Sequence, residues 1–185
     1  MSIRLTILGS GPSSGIPGLG IGWGKCDPKN PKNRRLRSSI IIQKGETRVL
    51  VDTSPDLRQQ LLTQYIERLD AVIFSHAHAD HIGGIDDLRG INRAMNAAIP
   101  AYADFETSCQ LQERYGYVFK PLDEKASIYY KPCLTLSKFN PGDEVNIGQI
   151  SIKTIDQDHG LSKSVGFRFE NIAYTTDVKA FSAKS

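Results

Sequence analysis

The segment His76-Ala77-His78-Ala79-Asp80-His81 puts three of the chain's four histidines and one aspartate within six residues. Imidazole nitrogens and carboxylate oxygens, without thiolate, suit Zn2+, Mn2+ or Fe2+ rather than a structural cysteine–zinc site. In extended chain, residues two apart project to the same side, so His76 and His78 can grip one ion together. Asp80 and His81 come as the chain turns into a helix and can point at a second ion. Ala77 and Ala79 leave room for close packing. Taken singly, each histidine reads as a surface or capping residue; the cluster reads as a metal site. His159, in Asp156-Gln157-Asp158-His159-Gly160, and Asp177, in Thr175-Thr176-Asp177, each follow an apolar run that reads as a strand. Strand ends are where sheet proteins usually place their sites. Alone, His159 is a loop residue and Asp177 a turn former. Beside the cluster they read as a third ligand of the first ion and a carboxylate bridging the two.

Two divalent ions about 3.5–4 Å apart can share one hydroxide and neutralise phosphoryl oxygens as charge develops. No serine or cysteine triad competes for the chemistry, and Asp80 could also orient the attacking water. Lys25, Lys29, Lys32, Arg34, Arg35 and Arg37 stand against one acid, Asp27, between residues 25 and 37. Such a loop would favour a phosphorylated substrate, with a solvated surface loop as the alternative. Arg34, Arg35 and Arg89 are therefore candidate substrate residues, although an ordinary helix-surface arginine also accounts for Arg89. Only Trp23 supplies an aromatic beside this loop, so stacking on single-stranded nucleic acid is not indicated.

The elements that must position these residues read as follows. Ile3–Leu8 is a strand ended by a glycine-rich turn, and residues 9–37 are irregular. Ser39–Gln43 and Arg48–Asp52 form a hairpin around a four-residue loop, Lys44 to Thr47. Ser54 caps a helix with Pro55 in its first turn and an apolar stripe of Leu57, Leu61, Leu62 and Tyr65. Asp70–Ser75 is a buried strand that delivers the histidine cluster. A helix from about Ile82 to Asn96, a strand Ile99–Tyr102 and a helix Phe105–Tyr115 follow. Leu134–Phe139, Ile150–Ile155, Val165–Phe169 and Ile172–Thr176 are strands. This order predicts an α/β fold with mixed sheets and helices packed against them.

The chain has 185 residues, 39% hydrophobic and 23% charged, with a formal net charge of +3. That composition excludes collagen-like, coiled-coil and wholly disordered chains, and so mild a charge does not by itself predict nucleic-acid binding. Cys26, Cys109 and Cys133 lie far apart and are expected to be free buried thiols in a reducing cytoplasm. No apolar run approaches the ~18 residues of a membrane span.

The cluster meets in full the signature H-x-H-x-D-H, and the chain resembles the metallo-β-lactamase superfamily. Leu8-Gly9-Ser10-Gly11, Trp23-Gly24-Lys25-Cys26-Asp27 to Asn33-Arg34-Arg35, and Val51-Asp52-Thr53-Ser54-Pro55-Asp56-Leu57 are similar to its phosphodiesterase branch. That branch includes a cyclic-phosphate phosphodiesterase and relatives of the tRNA 3′-processing nuclease. The resemblance implies one domain over residues 1–185, an αββα sandwich of mixed sheets. It implies that His76, His78 and His159 carry the first ion, Asp80 and His81 the second, and that Asp177 bridges them. The expected activity is metal-dependent hydrolysis, with Zn or Mn, of a nucleotide-like or cyclic phosphate ester. A glyoxalase-like thioester hydrolase, suggested by Gly83-Gly84, and a degenerate non-catalytic remnant are the alternatives. Only Cys26 remains where some relatives hold a structural zinc. The family continues past the Asp177 strand, so the chain is expected to lack the C-terminal part of its second half and one ligand of the second ion. An exposed apolar face on the last strands, covered by a homodimer partner or a C-terminal fragment, is the corresponding expectation.

Overall fold

Why the strands stack as they do follows from the alternation within them. In a computed structural model that describes residues 1–181, β1 (Ile3–Gly9), β2 (Ser39–Lys44), β3 (Thr47–Val51), β4 (Ala71–Ile73), β5 (Ile99–Asp104) and β6 (Leu134–Phe139) form one sheet in that order. β1, β2 and β3 pair antiparallel; β3 through β6 pair parallel. Successive side chains point to opposite faces. Ile41, Leu50, Val72 and Phe74 therefore join the helices on one side, while Ile40, Ile42, Val49, Val51, Ala71 and Ile73 face the second sheet. The second sheet holds β7 (Glu144–Ile147), β8 (Ile150–Asp158), β9 (Lys163–Phe169), β10 (Ile172–Tyr174) and β11 (Ala180–Phe181), all antiparallel. β8 pairs with β9 along one edge and with β7 and then β11 along the other.

The helices α1 (Leu57–Thr63), α2 (Ala79–Ile82), α3 (Leu88–Met95) and α4 (Phe105–Tyr115) contribute Leu57, Leu61, Ile82, Leu88, Ile91 and Leu111 to the core over the first sheet. The described residues thus form a helical layer and two facing sheets, one mixed and one antiparallel. Among them, no helix is long and apolar enough to cross a membrane.

Several sequence expectations are corrected. The hairpin loop is two residues, because Lys44 pairs with Thr47 and Gly45 takes the positive φ (+56°) that the turn needs. α1 begins at Leu57; Ser54 Oγ accepts from Asp56 N–H in a turn ahead of the helix and donates to Gln60 Oε1. Leu62 lies on the outer side of α1 and Tyr65 beyond its end at Thr63, so both are exposed rather than part of its buried stripe. The helix expected from Ile82 to Asn96 is broken at Gly83-Gly84 into α2, a 3-10 turn and α3. Only Cys133 is buried; Cys109 is exposed and Cys26 intermediate.

The expected apolar outer face on the last strands is also absent among the described residues. Ile150, Ile152, Val165, Phe167 and Phe169 point inward against the first sheet, and Ser151, Lys153, Arg168 and Ala173 point outward. The reason for a homodimer or fragment partner on that face goes with it.

Candidate metal centre

β4 is wholly buried and hands the chain at Phe74 to the histidine loop. That loop is tied to both sheets: Phe74 N–H donates to Tyr102 O, and Val165 N–H of β9 donates to Ser75 O, each at 2.8 Å. Extended backbone at His78 (ψ 151°) ends as His81 N–H and Ile82 N–H both donate to His78 O, starting α2. Arg114 of α4 donates to Ala77 O at 2.6 Å, and Thr53 N–H donates to His81 O at 2.7 Å. Both ends of the loop are therefore fixed by backbone carbonyls, which leaves its side chains free to converge.

His159 follows β8, with its N–H bonded to Ser162 O at 3.0 Å. Asp177 lies where the chain leaves β10 and crosses to the far edge of β8 as β11. It adopts a left-handed φ of +50°, a conformation that Asp tolerates better than most residues. Ser164 Oγ donates to its carbonyl at 3.2 Å, and Thr176 Oγ1 donates to its Oδ1 at 3.1 Å.

These elements bring the six candidate ligands together. His76, His78, His159 and Asp177 each offer an atom within 4.8 Å of the others, and Asp80, His81 and Asp177 form a second such set. Asp177 Oδ2 is common to both: it lies 3.6 Å from His76 Nε2, 3.6 Å from His159 Nε2 and 3.4 Å from His81 Nε2. His76 Nε2 and His78 Nδ1 are 3.0 Å apart, and His81 Nε2 and Asp80 Oδ2 are 3.4 Å apart. Two ligands of one tetrahedral zinc, each about 2.1 Å from it, stand about 3.4 Å apart. The donor set and its spacing fit divalent metal.

Electrostatics agree. Burial, with the neighbouring His81 and His78, pushes the His76 pKa down to about 4, which keeps the neutral imidazole that a metal requires. Burial opposes the His81 cation, but Asp52, Asp177 and Asp80 outweigh it and push its pKa up to about 12. Hydrogen bonding to His81 holds Asp177 well below the usual carboxylate range, and the same contact lowers Asp80. His81 therefore has a proton to release when an ion takes its place among these carboxylates.

Asp52 is a site residue that sequence reasoning missed. Fully buried at the end of β3, it accepts from Ser75 N–H and Ser75 Oγ at 2.7 Å and bonds His81 Nδ1 at 2.8 Å. Ser75 Oγ in turn lies 3.0 Å from His76 Nδ1. A carboxylate on the far ring nitrogen fixes the tautomer and orientation of a ligating histidine. In the sequence it shows as an acid directly after an apolar strand, within the Val51–Leu57 stretch that resembles the phosphodiesterase branch.

The three candidate substrate arginines lie elsewhere. The crevice beside His76 and His78 is lined by Glu106, Thr107, Gln110, Ser162 and Lys163. Arg34 and Arg35 are exposed; Arg34 lies 5.3 Å over the Trp23 ring, and Arg35 pairs through its backbone with Ile16. Arg89 donates to Tyr130 O at 3.4 Å and lines a different hollow. Arg37 is held by Asp56 through Nε and Nη2, at 2.8 and 2.6 Å. That hydrogen-bonded pair raises its pKa, as does the charge of Asp80.

With two facing sheets and this ligand cluster at their edge, the match to known proteins falls into place. Residues 47–185 match the beta-lactamase superfamily domain, and the chain belongs to that superfamily. It is 33% identical to an octanoyltransferase of Porphyromonas gingivalis (strain ATCC BAA-308 / W83) over 183 residues, 98% of this chain and 36% of that protein. It is 24% identical to a ribonuclease Z of Methanopyrus kandleri over 145 residues, 76% of this chain and 46% of that protein. The crystal structure of a diphosphatase from the PhnP family superposes with a TM-score of 0.81 at 31% identity, covering 94% of this chain and 65% of the other. The chain thus spans between a third and two thirds of the length of these relatives.

Proposed function

We propose that this chain carries the centre of a divalent-metal-dependent hydrolase of phosphate esters, acting on a small phosphodiester, a diphosphate or a nucleotide. The observation that supports it best is the position of Asp177 Oδ2, shared by two ligand sets at 3.4–3.6 Å. When bound, a pair of Zn or Mn ions supplies a nucleophile at neutral pH by lowering the pKa of water and neutralises charge on phosphoryl oxygens. His76, His78 and His159 would hold one ion, Asp80 and His81 the other, with Asp177 between them. Asp80, ionised at neutral pH, can accept a hydrogen bond from the attacking water and align it. Lys163 and Ser162 stand at the crevice beside His78, where they can meet a substrate oxygen. The field of the basic loop favours an anionic ester over a neutral one. Relatives named as a diphosphatase and a ribonuclease Z support the phosphoryl reading over the thioester one. The setting is the cytoplasm, which keeps Cys26, Cys109 and Cys133 reduced.

The test is hydrolysis of bis-p-nitrophenyl phosphate beside a glutathione thioester, before and after chelation and with Zn2+ or Mn2+ restored. Diester turnover that is lost with chelator and in Asp177→Ala, but kept in Cys26→Ala, is the expected result. Thioester turnover alone would instead establish the glyoxalase-like reading, and bound metal without either activity the degenerate one.

A further inference from the structure

Among the described residues, the Tyr174 hydroxyl is buried without a hydrogen-bond partner. Tyr174 ends β10, three residues before Asp177. The hydroxyls of Thr176 and Ser38 act to lower its pKa, and the charges of Asp52 and Asp177 act to raise it. Thr176, two residues on and on the same side of extended chain, is itself buried and bonds Asp177 Oδ1 at 3.1 Å. That is the carboxylate oxygen not shared between the two ligand sets.

We propose that Tyr174 is a positioning residue of the metal centre. Its O–H donates to Thr176 Oγ1, whose own O–H donates to Asp177 Oδ1, so that Oδ2 is held toward both ligand sets. The inference rests on the metal-centre reading above. The donor count is consistent: each hydroxyl has one hydrogen to give and lone pairs to receive. Burial, and the negative charges of Asp52 and Asp177, push the phenol's pKa up, so the group is a donor throughout the working range. A buried hydroxyl left unpaired is costly. The arrangement in which Asp177 is fixed by ions, and the relay closes behind it, removes that cost. The Tyr174 hydroxyl is thereby coupled to metal binding rather than to the bare fold.

Tyr174→Phe keeps the ring and deletes the relay's first donor; Thr176→Val deletes its middle. Zn2+ affinity of the metal-free chain is measured by competition with a chromophoric chelator, and Tm is measured without and with Zn2+. Tyr174→Phe should leave the metal-free Tm unchanged or raise it, weaken Zn2+ binding by about 10-fold, and shrink the rise in Tm on adding Zn2+. Thr176→Val should weaken Zn2+ binding likewise, and the double variant should lose no more than the larger single effect. Unchanged Zn2+ affinity in Tyr174→Phe overturns the proposal. If that variant does not fold, unchanged affinity in Thr176→Val overturns it. A wild-type chain that binds neither Zn2+ nor Mn2+ overturns the metal-centre reading itself, which is a distinct outcome.

Discussion

Asp52 illustrates how a residue that touches no substrate can govern the centre. Three donors converge on its carboxylate, two from Ser75 and one from His81. Asp52→Asn keeps the volume but removes the charge that holds the His81 ring. We expect metal affinity to fall by about 10- to 100-fold and the Tm of the metal-free chain to drop; wild-type Zn2+ titration by the variant would show the bond to be dispensable. Protonation gives a second residue-scale prediction. His76 titrates near 4 when folded and 6.5 when unfolded, so the unfolded chain binds more protons between those values and stability falls as pH drops through them. Asp177, Asp80 and Asp56 have lowered folded values, so their contribution is present above 3.8 and is also lost on acidification. His81, raised to about 12, acts in the opposite sense: its contribution is complete below 6.5 and fades as pH rises toward 12. Calorimetry of the metal-free chain should therefore find its highest Tm near neutrality. A Tm still rising from pH 6.5 to 5 would contradict the His76 assignment. Asp52 was illegible as a site residue because its partners lie 23 and 29 residues away. The histidine cluster was legible because its spacing is local.

At the scale of elements, Gly84 decides how α2 meets the loop after β3. A Cβ built there would lie 2.0 Å from Ser54 O and 2.8 Å from Leu57 Cβ, contacts that backbone must move to relieve. Gly83-Gly84 thus serves the packing of the ligand-bearing turn. Gly84→Ala should destabilise by about 1–3 kcal/mol or more and weaken Zn2+ binding through Asp80 and His81. Gly90→Ala, in α3 with nothing within 4 Å of the added carbon, should stabilise by about 0.4–1 kcal/mol. Opposite signs in chemical denaturation are the check; equal effects would remove the packing argument. The same close approach is why the expected long helix was wrong: periodicity runs on past Ile82, but the backbone must pass Ser54 there. Strands buried on both faces, such as Ile40, Ile41 and Ile42 in β2, were readable from a continuous β-branched run. β7 has only Val145 and Ile147 to show, and β11 is two residues paired at the far edge of β8. Their existence depends on the partner strand, which no local pattern records.

For the whole molecule, charge is distributed unevenly. Residues 25–37 hold six of the 23 basic and one of the 20 acidic residues, leaving 17 basic against 19 acidic elsewhere. The loop is therefore a positive arm on a slightly negative body. Asp56 neutralises Arg37, whereas Lys25, Lys29, Lys32, Arg34 and Arg35 have no ion pair among the described residues. Charges of this kind act through their field and are screened over about 8–10 Å at ordinary ionic strength. Their effect should fall on capture of an anionic substrate and leave the chemical step alone. Arg34→Ala combined with Arg35→Ala should raise KM for an anionic phosphodiester by about 2- to 30-fold, taking roughly 0.2–1 kcal/mol for each exposed charge, with kcat unchanged. The salt dependence of kcat/KM should flatten in the same variant, because the screened charges have been removed. A neutral phosphate triester should show neither change. A fall in kcat with an unaltered salt slope would place these arginines at the reacting atoms, and equal losses on the neutral substrate would mean that the pair shapes the loop, since Arg34 also covers Trp23.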